Sequence, residues 1–119
     1  MHKTTHTITL TEHTATNYLD VAAVAHGAQL ALTPALWQRI TQAHAIVDRI
    51  VADNVHAYGI NTGLGALSEV VLNSDQLSQL SHNTLKSHAC GVGTFLSVAE
   101  TRAIMCAQII NYSHGHSGI

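Results

Sequence analysis

Tyr58 is the residue whose type and position best suit it for chemistry. It opens a glycine-rich segment at residues 58–65, with sequence YGINTGLG. A tyrosine phenol ionises well above neutral pH, so it can act as a base only where its anion is stabilised or a loop closes over it. The structural alternative is an apolar anchor with a hydrogen-bonded hydroxyl. The glycines do not fit the GxGxxG pattern and follow a predicted helix, which argues against phosphate binding.

The second candidate is His88, in the segment 87–93 with sequence SHACGVG. On the predicted helix it shares a face with Leu77 and Leu80. That position also suits a histidine packed in the core, or a histidine stabilised by the dipole at the helix C-terminus. Small residues and two glycines follow it, and they allow a ligand or another backbone to approach closely. Both readings stay open from the residues alone.

Metal binding and disulfide formation are not favoured. Ten histidines are spread along the chain, but only His114 and His116 are closely spaced, and a metal site needs three or four converging ligands. Cys90 and Cys106 are sixteen residues apart and form no CxxC motif. We therefore expect two reduced, buried thiols in a cytoplasmic protein.

The composition points to a surface that something else covers. Hydrophobic residues make up 46% and charged residues only 10% of 119 residues, against about 25% charged in an ordinary soluble domain. The covering material could be the rest of a longer polypeptide or other subunits. The net charge of −2, with five scattered Lys and Arg residues, indicates no nucleic-acid partner. No long apolar run or leader pattern predicts a membrane span or signal peptide.

Local patterns near the start predict two strands and a helix. Alternating residues indicate short strands over 6–11 and 28–32. Between them, a short helix is expected to begin after Thr16 or Asn17 and to end at Gly27.

Three longer helices must position the candidate residues. Thr33 and Pro34 are typical of a helix start, and this helix is expected to run to about Asn54. Its apolar stripe comprises Leu36, Ile40, Ala43, Val47 and Ile50. Residues 53–73 form the predicted glycine-rich lid loop.

Capping boxes mark the next two helices. Asn73 with Gln76 opens the helix that carries His88, and Ser97 with Glu100 opens a helix that runs at least to Tyr112.

Three motifs occur in order: residues 58–65, 87–93 and 115–119, the last reading GHSGI. Together they resemble the N-terminal part of the histidine and aromatic amino acid ammonia-lyase family, over the chain from about Ile8 onward. The resemblance implies a mainly α structure with a short strand element, part of the ammonia-lyase (fumarase/aspartase-like) helical fold. Residues 1–119 would be the N-terminal part of one such domain, in a homotetramer or joined to the remainder of the same polypeptide.

The resemblance also implies the chemistry. Family members carry an electrophilic methylidene-imidazolone group (MIO), made autocatalytically from an internal Ala-Ser-Gly, and no metal. It adds to the amine of a small amino-acid substrate, a base removes a β-proton, and ammonia leaves. Tyr58 would be that base. The expected substrate-binding residues are His88, Ser87, Asn61, Leu64 and Gly65.

The substrate favoured by Ser87 and His88 is L-histidine, which gives urocanate; tyrosine is second, and an aminomutase is a further alternative. Three departures from the family pattern are present. No Ala-Ser-Gly occurs in this sequence, Leu64 stands where Phe is common, and His114 stands where Arg or Lys is common. The 119 residues alone are therefore predicted to be inactive, and a non-catalytic, truncated or degenerate domain acting in binding or assembly is the alternative.

Overall fold

A computed structural model describes residues 6–13 and 15–118. The chain divides into two compact units. One comprises Met1–His44 together with Phe95–Ile119, and the other comprises Ala45–Thr94. The first unit is therefore built from two separate stretches of sequence.

The described residues form four α-helices and two short strands. In chain order these are β1 (Thr7–Leu10), α1 (Tyr18–Ala25), β2 (Gln29–Leu32), α2 (Pro34–Ala52), α3 (Ser74–His88) and α4 (Val98–Ser113). A single 3-10 turn, Gly65–Leu67, lies between α2 and α3. The expected mainly helical fold with a small strand element is confirmed.

β1 and β2 pair in parallel, with Thr7 opposite Gln29 and Leu10 opposite Leu32. The connecting helix α1 is capped at its start by Asn17, whose side chain accepts a hydrogen bond from Leu19 N–H at 2.8 Å. After its last residue, Ala25, and the cap residue His26, Gly27 adopts φ +112°, a backbone conformation that glycine adopts without a side-chain penalty. Both ends of α1 are thus set by local sequence, as expected.

α4 packs on α1 to form the core of the first unit. The buried cluster contains Val24, Ala28 and Cys106. The Arg102 guanidinium donates from Nε to the Val24 carbonyl at 2.7 Å and from Nη2 to the Ala28 carbonyl at 2.8 Å. A cation thereby satisfies carbonyls at and just after the C-terminus of α1, where the helix dipole favours positive charge.

α2 has the predicted start and the predicted apolar stripe. The Thr33 hydroxyl accepts from Leu36 N–H at 3.3 Å. Leu36 and Ala43 are buried, and the other three stripe residues are half-buried. The helix ends at Ala52, and Asn54 adopts φ +51°, while Val55 N–H donates to the Ile50 carbonyl at 3.0 Å. This is the Schellman arrangement with asparagine in the left-handed position.

The expectation of two buried thiols is wrong for one of them. Cys106 is buried against α1, but Cys90 is exposed in the segment after α3. The prediction treated both cysteines as core residues, whereas α3 has no buried residue and the residues after it make no core. Among the described helices, none is long and apolar enough to cross a membrane.

Candidate functional site

All six predicted site residues belong to the unit Ala45–Thr94. Four lie in the segment between α2 and α3, and Ser87 and His88 form the last two residues of α3. The structure therefore gathers the candidate residues into one unit on two supports, an irregular loop and a helix end.

Asn61 holds the loop together from inside. It is buried, and its side-chain oxygen accepts from Ala57 N–H at 2.9 Å while its amide donates to the Val55 carbonyl at 2.8 Å. A buried side chain that bonds two backbone groups on the same loop sets the path of that loop. The substrate-binding role expected for Asn61 stays a prediction, but its visible role is to shape the turn that carries Tyr58.

A short antiparallel bridge ties the two arms of the loop. Gly63 N–H donates to the Val70 carbonyl at 3.0 Å, and Leu72 N–H donates to the Asn61 carbonyl at 2.9 Å. A Cβ on Gly63 would lie 2.6 Å from both the Cβ and the carbonyl oxygen of Leu67. Glycine is therefore required at position 63 because Leu67, the last residue of the 3-10 turn, lies directly over it.

Tyr58 projects from this ordered loop. Its side chain is 65% exposed, and no hydrogen bond to its hydroxyl is found in the described part of the chain. The structural alternative, an apolar anchor with a bonded hydroxyl, is therefore wrong for this structure. Hydrogen bonds hold the backbone on both sides of Tyr58. The position of the residue is therefore fixed, although no hydrogen bond restrains its hydroxyl within the described residues.

Leu64 and Gly65 form the outer edge of the same loop. Leu64 is 43% exposed, and Gly65 begins the 3-10 turn with φ +59°. The residue at position 65 needs a left-handed backbone, which favours glycine.

His88 is held at the end of α3 by its own helix. Its Nδ1 lies 2.8 Å from the Thr84 carbonyl. A carbonyl only accepts, so in the neutral ring Nδ1 carries the proton and Nε2 is left as an acceptor. The Ser87 hydroxyl also donates to the Thr84 carbonyl, at 3.0 Å. His88 is exposed, so the core-histidine reading is not supported.

The loop that carries Tyr58 and the C-terminal end of α3 are each held by hydrogen bonds within themselves. Within the described residues, no hydrogen bond or ion pair joins Tyr58 to Ser87 or His88, and no cluster of metal-ligating side chains occurs. The roles assigned to these residues remain predictions about a site to which other residues must contribute.

The third motif lies in the other unit. A Cβ on Gly115 would be 2.8 Å from Arg39 Cγ, and His44 Nδ1 donates to the Gly118 carbonyl at 2.9 Å. Ile119, the last residue of this motif, is outside the described residues. Arg39 and His44 were not singled out from the sequence, because nothing in their local pattern shows that a segment more than seventy residues away returns to them.

A cavity of about 360 Å³ also lies in that unit, between β1, α2 and α4. Glu12, Arg39 and His114 are among its lining residues. A hydrogen bond from its own backbone and one from the Thr33 hydroxyl lower the pKa of the Glu12 carboxyl below its usual value. No sequence motif indicated this cavity.

Comparison with known proteins identifies the family. A family model described as aromatic amino acid lyase matches residues 17–119. The chain belongs to the aromatic amino acid lyase family. Histidine ammonia-lyase from Symbiobacterium thermophilum is 43% identical over 101 residues, which are 84% of this chain and 20% of that protein. The same enzyme from Myxococcus xanthus is 42% identical over 92 residues, covering 77% and 18%.

Two solved structures share its fold. An ergothionase from Treponema denticola superposes with a TM-score of 0.84 at 25% identity, over 94% of this chain and 23% of that one. Phenylalanine aminomutase from Pantoea agglomerans gives a TM-score of 0.84 at 26% identity, over 93% and 22%. The chain thus spans about a fifth of the length of the lyases that it matches.

Proposed function

We propose that this chain forms the N-terminal part of an ammonia-lyase that eliminates ammonia from L-histidine to give urocanate. The observation that carries the proposal is an exposed Tyr58 side chain, whose hydroxyl has no hydrogen bond within residues 6–13 and 15–118, on a loop held by Asn61 and Gly63. The chain that carries it is 43% identical to a histidine ammonia-lyase over 101 residues.

Tyr58 is the proposed base that removes the β-proton of the substrate. Its anchored backbone and free hydroxyl suit a group that must meet a substrate without first breaking a hydrogen bond. Leu64 and Gly65 lie at the edge of the same loop and would help to exclude water from the bound substrate once the loop is covered. Because the loop is exposed in this structure, other residues would have to cover it.

His88 is the proposed partner of the substrate ring. With Nδ1 engaged by the Thr84 carbonyl, Nε2 can accept a hydrogen bond from an imidazole N–H of L-histidine. The phenol of tyrosine could make the same contact, so tyrosine is the second candidate substrate. The Ser87 hydroxyl steadies the same turn from the neighbouring position.

The residues present do not supply the MIO group. The chain contains no Ala-Ser-Gly, and its single Ser-Gly pair, Ser117-Gly118, follows His116. Once formed, that group would supply the electrophile that takes up the substrate amine. We therefore propose that the source of this group lies outside these 119 residues. The tetrameric assembly and the cytoplasmic location expected from the sequence are also part of the proposal.

A full-length chimera tests the proposal. Residues 17–118 replace the matching segment of the S. thermophilum histidine ammonia-lyase, and urocanate is followed by its absorbance after L-histidine is added. We expect activity, and we expect Tyr58→Phe to lower kcat at least about 100-fold, the usual effect of losing a general base.

Tyr18→Phe is the matched control, since Tyr18 is also a highly exposed tyrosine and lies in the other unit. Full activity in the Tyr58→Phe chimera would refute the assignment of the base. A folded chimera with no activity towards histidine or tyrosine would instead favour the non-catalytic alternative.

The aminomutase alternative has one specific support, the likeness to the Pantoea phenylalanine aminomutase. Product analysis separates the two reactions. An aminomutase returns a β-amino acid from an aromatic α-amino acid, whereas a lyase releases free ammonia and the unsaturated acid.

A further inference from the structure

The cavity of about 360 Å³ between β1, α2 and α4 has no role in the lyase reaction proposed above. All of its lining residues belong to one compact unit, and none of them is a proposed site residue of the lyase. The volume falls within the range of about 300–1,000 Å³ that is typical of sites for small molecules. Its walls combine aliphatic side chains with one basic and one acidic side chain, Arg39 and Glu12.

Arg39 is a half-buried cation whose guanidinium makes no hydrogen bond or ion pair in the described part of the chain. The start of its side chain is packed, because Arg39 Cγ lies 2.8 Å from the position that a Cβ on Gly115 would occupy. A guanidinium carries five N–H donors in a planar fork that matches the two oxygens of a carboxylate. These donors are available to an acid group that enters the cavity.

Glu12 supplies the opposite charge, and the start of α2 fixes its position. Thr33, which caps α2, donates from its hydroxyl to Glu12 Oε2 at 3.2 Å. A hydrogen bond from its own backbone, the Thr33 hydroxyl and the charges of His13 and Arg39 lower the pKa of the Glu12 carboxyl, so Glu12 is ionised at neutral pH. A carboxylate has about four lone-pair sites, and the contacts named here leave some of them for a ligand.

The two charges share the cavity but do not form an ion pair with each other within the described residues. We propose that the cavity binds a free α-amino acid as its zwitterion, with the ligand carboxylate on Arg39 and the ligand ammonium on Glu12. Each charged group of the protein then gains a partner of opposite charge, through hydrogen bonds that are roughly twice as strong as neutral ones. The cavity also borders the C-terminus of α4 at Ser113, where the helix dipole favours the ammonium.

The apolar walls of the cavity restrict the side chain of the ligand. Leu10 and Leu36 are buried, and Ile110 is half-buried. Aliphatic walls favour an aliphatic side chain, because a polar one would lose its hydrogen bonds to water there. The ligand class is therefore an aliphatic α-amino acid, such as L-valine. This inference does not depend on the lyase reaction.

Isothermal titration calorimetry with L-valine tests the site on two proteins. One is the 119-residue chain, and the other is a version of the full-length chimera in which the inserted segment begins at residue 6 and so includes Glu12. Circular dichroism establishes that each is folded, and if only the chimera is folded, its result decides. We expect L-valine to bind to both proteins. The absence of binding to folded protein overturns the proposal.

Two analogues of L-valine test each charge of the ligand. Isovalerate lacks the ammonium and isobutylamine lacks the carboxylate. Each should bind at least about tenfold more weakly than L-valine, because one charge-assisted contact is lost. Isovalerate that binds as tightly as L-valine would show that only the carboxylate is recognised, and the zwitterion assignment would be wrong.

Substitutions in the cavity test the two protein groups. Arg39→Gln and Glu12→Gln should each raise the Kd for L-valine at least about tenfold, and Glu12→Gln should not weaken isovalerate, which has no ammonium. Arg49→Gln is the matched control: Arg49 also lies on α2, outside the cavity, and its Nε donates to the Ala45 carbonyl of its own helix. We expect it to change the Kd by less than about twofold. Equal effects of Arg39→Gln and Arg49→Gln contradict the proposal.

L-Histidine separates this cavity from the proposed substrate site. Its binding to the 119-residue chain should be weaker than that of L-valine, and it should be reduced by Arg39→Gln but not by His88→Ala. The reverse pattern would place the amino acid in the other unit and overturn the proposal. L-Valine binding to the chain but not to the chimera would mean that other residues fill the cavity, which also overturns it. A chimera that binds L-valine but has no lyase activity would refute only the proposed function.

Discussion

Replacing Arg102 with glutamine is expected to lower the free energy of unfolding of the unit that contains α1 and α4 by about 2–4 kcal/mol. The substitution removes two hydrogen bonds, at 2.7 and 2.8 Å, from the guanidinium to the carbonyls of Val24 and Ala28. Bonds to a charged donor contribute about 1.5–3 kcal/mol each, so the two together would contribute about 3–6 kcal/mol. The expected loss is smaller than that, because Arg102 is only half-buried and because the shorter glutamine side chain can still reach at most one carbonyl.

The assay is urea unfolding followed by the fluorescence of Trp37, the single tryptophan, which lies in the same unit. The midpoint should fall with little change in the slope, because the surface exposed on unfolding is unchanged. Only a few of the described residues of this unit are fully buried, so its free energy of unfolding is expected to be small. The loss expected for Arg102→Gln is large by comparison.

Arg49→Gln is the matched control. Arg49 Nε also donates to a backbone carbonyl, that of Ala45 at 3.3 Å, but this carbonyl lies one turn earlier on α2 and both residues are exposed. We expect a change below about 0.5 kcal/mol, as for ordinary surface substitutions. If Arg102→Gln costs no more than Arg49→Gln, the idea that Arg102 fastens α4 to α1 is refuted.

Three further outcomes follow from local geometry. Gly63→Ala should lower stability by about 1–3 kcal/mol in urea unfolding followed by circular dichroism, because the added methyl meets backbone at 2.6 Å. Ser97→Ala should raise the pKa of the Glu100 carboxyl in an NMR titration, since the Ser97 hydroxyl is the main cause that lowers it below 4.5. Because the folded pKa is the lower one, the stabilisation from this pair is present above about pH 4.5 and is lost as pH falls through the folded pKa. A thiol reagent should modify Cys90 at once and Cys106 only after unfolding, because burial shields the Cys106 thiol and raises its pKa.

Each outcome has a control. Gly91→Ala meets nothing within 4 Å and should leave stability unchanged; equal losses at positions 63 and 91 would contradict the steric argument. An unchanged Glu100 titration in Ser97→Ala would show that the hydroxyl is not the cause. Two fast thiols in the native chain would contradict the buried position of Cys106.

Sequence reasoning succeeded where the cause of the structure is local. Capping boxes such as Asn73 with Gln76 involve groups three residues apart, so their geometry is readable from the chain. The same holds for the α2 stripe, because helical period alone determines which residues share a face. The three ordered motifs also identified the family correctly.

Non-local contacts could not be read in this way. Arg102 meets a carbonyl 78 residues earlier in the chain, and no local pattern distinguishes it from a solvated arginine. Cys90 was misplaced for the related reason that a small apolar residue does not reveal whether any neighbour packs on it. Exposure of Tyr58 was likewise undetermined, because a loop tyrosine can point inward or outward without changing the pattern of its neighbours.

The divided first unit constrains the order in which the chain can fold. Met1–His44 holds β1, α1 and β2, but the helix that completes their core comes from Phe95–Ile119. On a ribosome, which emits the chain from its N-terminus, the apolar side of α1 must wait uncovered until α4 has emerged. While the roughly fifty intervening residues are still unfolded, closing the loop that they form costs about 3.5 kcal/mol of chain entropy. The bonds from Arg102 to the carbonyls of Val24 and Ala28 help to offset that cost.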